Sequence, residues 1–224
     1  MQLEHLIPVE DAARRLGISK RAVTELAATG RLDALRRGNA WWLDVRSVER
    51  RERERPAGGR PLSPAMAWWV LLLASGSPGS ELLASHAHHH SRAEGWLARH
   101  PLAEHAARLR ARARREQFDA HPSELKRILA RGDVLATGIS AADSVGLHGG
   151  AASAELYAPE SHRERICSAH ALEPADGPVL VRWVADALWP AISAECAPRA
   201  AVLLDLLEHE DPRARREAAR ELAR

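Results

Sequence analysis

Val9-Glu10-Asp11-Ala12-Ala13-Arg14-Arg15-Leu16-Gly17-Ile18-Ser19-Lys20-Arg21-Ala22-Val23-Thr24-Glu25-Leu26-Ala27-Ala28-Thr29-Gly30 is the stretch that decides how the N-terminal part of the chain folds. Val9 to Leu16 is a short helical run, and Gly17 ends it because glycine takes the left-handed backbone of a helix terminus at little cost. Ser19 then offers a hydroxyl N-cap to a second helix that runs to Thr29 and stops at Gly30. The product is helix, tight turn, helix. Ala13 is small enough to let the two helices cross, and Leu16, Ile18, Val23 and Leu26 supply the contacts that lock them. With Val23 and Leu26 facing inward, helical spacing turns Ser19, Lys20, Arg21, Thr24 and Glu25 outward.

Working outward, Leu32 to Leu35 and Trp41 to Leu43 are short apolar-biased runs around Arg36-Arg37-Gly38-Asn39, whose Gly-Asn pair suits a hairpin turn. Asp44 caps a third helix through Arg55, and Pro56-Ala57-Gly58-Gly59-Arg60-Pro61 breaks regular structure as a linker. The outward set of the second helix suits a major groove. Arg21 has the fork that pairs bidentately with guanine, Thr24 suits a thymine methyl or a phosphate, and Glu25 accepts from cytosine. Ser19 and Lys20 at the helix start, and Arg31, Arg36, Arg37 and Asn39 beyond it, suit phosphates.

Over Val9 to Val48 the chain resembles the excisionase-type branch of the MerR-like winged helix-turn-helix domains. The carrying residues are both helices, then Gly30-Arg31-Leu32, Ala34, Arg36, the wing-tip Gly38, Trp41 and the capping Asp44. Trp42 stands where that family often has a base, and Asn39 leaves the wing tip less positive. The resemblance implies double-stranded DNA as the partner. From Arg108 onward the order of features resembles the C-terminal region of AbiEi-type antitoxins and related actinobacterial regulators. His121-Pro122-Ser123-Glu124-Leu125, Leu135 to Ala142, the strands Glu155 to Tyr157 and Val179 to Val184, and Ala201 to Glu208 with Asp211-Pro212-Arg213 carry it. That likeness implies an antitoxin that represses its own operon and opposes a nucleotidyltransferase-like toxin.

Charge is unevenly placed. The net charge is only +2, but residues 1–60 hold 13 Lys and Arg against 9 acids, residues 92–117 hold 7 against 3, and residues 118–224 hold 12 against 17. The first two blocks can face a polyanion, and the acidic C-terminal half cannot easily do so. The longest apolar stretch, Ala65 to Ala74, is about half of what a bilayer span needs. The N-terminus lacks a basic region followed by an apolar core, so a cytoplasmic protein without membrane contact is expected. Cys167 and Cys196 stand alone and are read as buried small residues, without disulfide or metal.

No catalytic constellation stands out. His86, His88, His89 and His90 lack fixed ligand spacing and read as a solvated loop, and His148-Gly149-Gly150 has no nucleophile elbow to serve and reads as a turn. Trp68 and Trp69 are core or dimer-contact residues. Arg108, Arg110, Arg112, Arg114 and Arg115 belong to a helical stretch from Glu94 to Gln117 and spread around a solvated helix. The fold class expected is mainly α with small β elements. It comprises a winged helix-turn-helix over 1–55, a linker over 56–61, a helical connecting region over 62–117 and an α+β domain over 118–224. The function expected is a sequence-specific DNA-binding regulator, an autorepressing antitoxin, working as a homodimer without enzymatic activity or cofactor. An excisionase-like architectural DNA binder is the alternative.

Overall fold

Gly17, with φ at 54°, closes α1 (Val9–Leu16), and its left-handed backbone sends the chain sharply into α2 (Lys20–Ala28). The Ser19 hydroxyl caps α2 by accepting the Ala22 N–H at 3.2 Å. These elements come from a computed structural model of the chain in which residues 6–54, 60–77, 87–149, 152–194 and 196–223 are described. The chain falls into two units, Met1–Pro56 and Ala57–Arg224. Most of the expected linker, residues 56–59, lies outside the described residues.

In the first unit, β1 (Leu6–Pro8) precedes α1, and β2 (Ala34–Arg37), β3 (Ala40–Asp44) and α3 (Val45–Glu54) follow α2. The three strands form an antiparallel sheet in the order β1-β3-β2. β1 is not legible in the sequence, because its three residues form a strand only through pairing with β3, Leu6 opposite Asp44 and Pro8 opposite Trp42. Asp44 accepts the Ser47 N–H at 3.0 Å as the cap of α3, and the buried Ser47 hydroxyl accepts the Asp33 N–H at 2.9 Å. Ala12, Leu16, Val23, Ala27, Leu43 and Val48 form one buried cluster, which ties α2 and the base of the hairpin to α1 and α3. Ile18 and Leu26 sit half-buried at its rim.

The second unit is mainly helical around a five-stranded sheet. Its elements are α4 (Pro64–Ala74), α5 (Ala87–Leu97), α6 (Leu102–His105), β4 (Arg114–Asp119), α7 (Pro122–Leu129), β5 (Leu135–Ala136) and β6 (Ala154–Pro159). α8 (Arg163–Ala169), β7 (Glu173–Pro174), β8 (Val179–Val184), α9 (Trp189–Ile192), α10 (Arg199–Glu208) and α11 (Pro212–Leu222) complete it. The strand order is β5-β6-β8-β4-β7, with β6 and β8 parallel and the other pairs antiparallel. Side chains alternate across the sheet. Leu156, Ala158, Val181 and Trp183 meet Leu125 and Ile128 of α7 and Ile166 of α8 on one face, while Tyr157 and Val184 join the cluster of α4 and α10 on the other. Residues 62–117 are therefore not set apart: Trp68 and Leu71 of α4 share one core with Leu204 of α10.

At four points the structure differs from what the sequence predicts. The helix expected from Glu94 to Gln117 ends at Leu97, resumes as α6 after Pro101, passes through a 3-10 turn at Ala106–Arg112 and becomes strand β4. The arginine run hid an alternation, in which Glu116 and Phe118 face α8 and α7 while Arg115 faces α10; pairing with β8 fixes it. Arg112, expected on a solvated face, is buried. His88, His89 and His90 lie not in a loop but in α5, where Ala93 and Trp96 are buried at helical spacing and His90 stacks edge-on against Trp69 at 5.5 Å. His86 lies outside the described residues. Cys167 is half-buried and Cys196 exposed, both as free thiols; Cys196 falls in the irregular stretch before α10, where little packs over it.

Arg112, Thr137, Glu155, Arg182 and Asp205 form a buried polar cluster on the α10 face of the sheet. Arg112 pairs with Asp205 and donates to the Tyr157 hydroxyl at 3.0 Å. Thr137 donates to Asp205 at 2.5 Å, and Arg182 donates to Glu155 at 2.9 Å with its Nε also 2.9 Å from Asp205. Burial raises the Asp205 carboxyl, but Arg182 and Arg112 outweigh it and hold it below the usual range. Each charge here has a partner of opposite sign, which is what allows charges to stay buried.

Candidate nucleic-acid interface

Arg21, Glu25 and Ala28 follow one another at i, i+4 and i+7 along α2, and all three are exposed. The opposite stripe, Val23 and Ala27, is buried in the core of the first unit, so the exposed stripe is fixed by packing. Lys20 and Thr24 flank the buried stripe. Thr24 is half-buried, and its hydroxyl donates to the Lys20 carbonyl at 2.9 Å. Lys20 Nζ lies 2.7 Å from Glu10 of α1, and this ammonium holds the Glu10 carboxyl below the usual carboxylate range. Ser19 is exposed but its oxygen is engaged as the helix cap.

The hairpin brings a second set together. Arg36 and Arg37 end β2, Asn39 lies in the turn, and all three are exposed. The Arg36 guanidinium sits 5.8 Å from the Trp41 ring centroid, opposite it in register, so an aromatic face supports the cation. Arg31, just after α2, is exposed, with its backbone N–H tied to the Leu26 carbonyl at 2.8 Å. The sequence reading does not single out Glu10 for the interface, and it picks out Trp41 only as the aromatic of the resemblance and not as the support of Arg36. Ala28 was missed as well, although its spacing from Arg21 and Glu25 was there to find it.

Asp11 pairs with Arg14 at 2.5 Å, Glu49 and Glu52 with Arg15 at 3.4 and 2.8 Å, and Asp33 with Arg50 at 3.0 Å. These acids neutralise cations on α1 and α3. Among the described residues, Arg21, Arg31, Arg36 and Arg37 form no ion pair, and neither do Arg46 and Arg51 of α3, so positive charge is left on α2, the turn after it, the hairpin and α3. Glu25 is the acid without a cationic partner on α2, among the described residues.

Among the described residues no group of three or more His, Cys, Asp or Glu is placed to hold a metal ion, and no helix is long and apolar enough to cross a membrane. Comparison with protein-family models, curated proteins and solved structures found no match.

Proposed function

We propose that the N-terminal unit is a winged helix-turn-helix head that binds double-stranded DNA in a sequence-specific way, and that the protein is a transcriptional regulator of its own operon. The observation that carries this reading is a set of four exposed arginines without an ion pair among the described residues, Arg21 on α2, Arg31 just after it, and Arg36 and Arg37 on the hairpin. In this reading α2 enters the major groove, Arg21 pairs bidentately with a guanine and Glu25 accepts from a cytosine amino group. Arg31, Arg36, Arg37 and Asn39 hold phosphates, with Trp41 fixing the direction of Arg36. An unpaired acid on the groove-facing stripe repels phosphates wherever it lacks a base to accept from, so Glu25 favours reading over mere adhesion. The second unit serves a homodimer of such heads, and its sequence likeness to AbiEi-type regions supports an antitoxin role against a nucleotidyltransferase-like toxin in the cytoplasm.

Fluorescence anisotropy with the protein's own upstream DNA and a scrambled duplex, at two salt concentrations, tests the reading. Tight, salt-sensitive binding that prefers the upstream DNA is expected. Arg21→Ala costs about 1–3 kcal/mol and relaxes specificity at one position, whereas Arg36→Ala weakens binding to both duplexes alike. Binding that ignores sequence favours an architectural role instead, and no binding at either salt sinks the proposal.

A further inference from the structure

The start of α2 carries two adjacent cations in different states. Arg21 is unpaired among the described residues, while Lys20 is held on Glu10 at 2.7 Å. Glu10 stands in the first turn of α1 and Lys20 is the first residue of α2, so the pair bridges the two helices across the turn that Gly17 makes. Neighbouring acids are not free to take its place: Asp11 is engaged by Arg14, and Glu49 and Glu52 by Arg15. Both side chains remain more than half exposed, at 64% for Lys20 and 57% for Glu10, so the pair lies on the surface and acts on whatever approaches it.

We propose that Glu10 sets the strength of DNA binding by withholding Lys20 from the phosphates, so that the start of α2 meets DNA through Arg21 alone. This rests on the DNA-binding reading above. The Lys20–Glu10 pair carries no net charge toward an approaching polyanion, so the lysine adds no counterion release when it arrives. The phosphate grip then comes from Arg31 and the hairpin arginines, and the groove end of α2 is left to a residue that distinguishes bases. The lysine that the sequence marks as a phosphate contact is, in this arrangement, electrically silent.

The test compares the full-length protein, Glu10→Gln, and the charge-neutral double variant Glu10→Gln/Lys20→Gln on the upstream and scrambled duplexes across a salt series. Releasing Lys20 with Glu10→Gln is expected to tighten binding to both duplexes roughly two- to fivefold at low salt. It also steepens the slope of log affinity against log salt by about 0.9, the signature of one added phosphate contact. The double variant is expected to match the unaltered protein in affinity and slope. A double variant whose slope is shallower by about 0.9 means that Lys20 already reaches a phosphate and overturns the inference. So does a Glu10→Gln variant that leaves the slope unchanged. If the unaltered protein binds neither duplex, the DNA-binding reading itself fails and this inference with it. Matching circular dichroism spectra confirm that the exposed substitutions leave the fold intact.

Discussion

Gly138 shows at the scale of a residue how the second unit holds its buried charges. Its backbone is left-handed, with φ at 52°, and a Cβ there would collide with a Glu155 carboxylate oxygen. That approach lets Glu155 keep its bond to Arg182 while packed directly on backbone. Gly138→Ala therefore adds the strain of a left-handed L residue, about 1–2 kcal/mol, to a displacement of Glu155 that disturbs the pairing of Arg182. We expect a loss of more than 2 kcal/mol in urea unfolding of the second unit, read from the fluorescence of its buried tryptophans. A loss under about 0.5 kcal/mol would mean that the cluster is looser than its distances imply. Arg112 makes the same point from the other side: a sequence run rich in arginine reads as surface, yet one member is buried because Asp205, Tyr157 and the Leu109 carbonyl meet it.

Elements were legible where their signals were local. Ser19, three residues before Ala22, announces the start of α2, and the structure makes that bond at 3.2 Å. Ser19→Ala removes it and is expected to cost about 1 kcal/mol in stability of the first unit, visible as a lower urea midpoint, while Ser19→Gly costs only a few tenths. Equal losses for both would mean that the hydroxyl does not cap the helix. Gly17 and Asp44 were readable for the same reason: caps act within a few residues. What was not legible depended on partners far along the chain. β1 exists through β3, and β4 through β8, whose register sets Arg114 opposite Trp183. α5 packs against α4, which makes a helix of a histidine-rich stretch that polarity alone assigns to a loop. The candidate interface divides in the same way. Arg21 and Glu25 follow from helical spacing, but the capture of Lys20 by Glu10 and the support of Arg36 by Trp41 follow from how α1 meets α2 and how β2 pairs with β3.

Across the whole molecule the two units use charge in opposite ways. The first leaves arginines unpaired on its surface, and the second buries Arg112 and Arg182 against Asp205 and Glu155. That burial makes the stability of the second unit depend on pH. Glu155 is buried within the polar cluster on β6, and desolvation raises its carboxyl above the ordinary glutamate value of 4.5, with Arg182 and His209 opposing and Asp205 reinforcing the rise. Between that ordinary value and the raised one, the folded chain binds a proton that the unfolded chain releases. Acidification through this window therefore stabilises the fold, and raising the pH through it removes that contribution. Glu116, pushed up by burial but brought lower by Arg163, Arg114 and Trp183, acts in the opposite sense, as do Asp205 and Asp133, which their arginine partners lower. The stability those groups add is complete above their ordinary values and is lost as pH falls through the lowered ones. Glu155→Gln separates the two effects, since it abolishes only the first. The difference in unfolding free energy, unaltered protein minus Glu155→Gln, is expected to grow as pH falls from 7 toward 4.5 and then to level off. Urea titrations followed by circular dichroism at half-unit pH steps measure it, and a difference that stays flat across that range would show Glu155 to be as well solvated folded as unfolded.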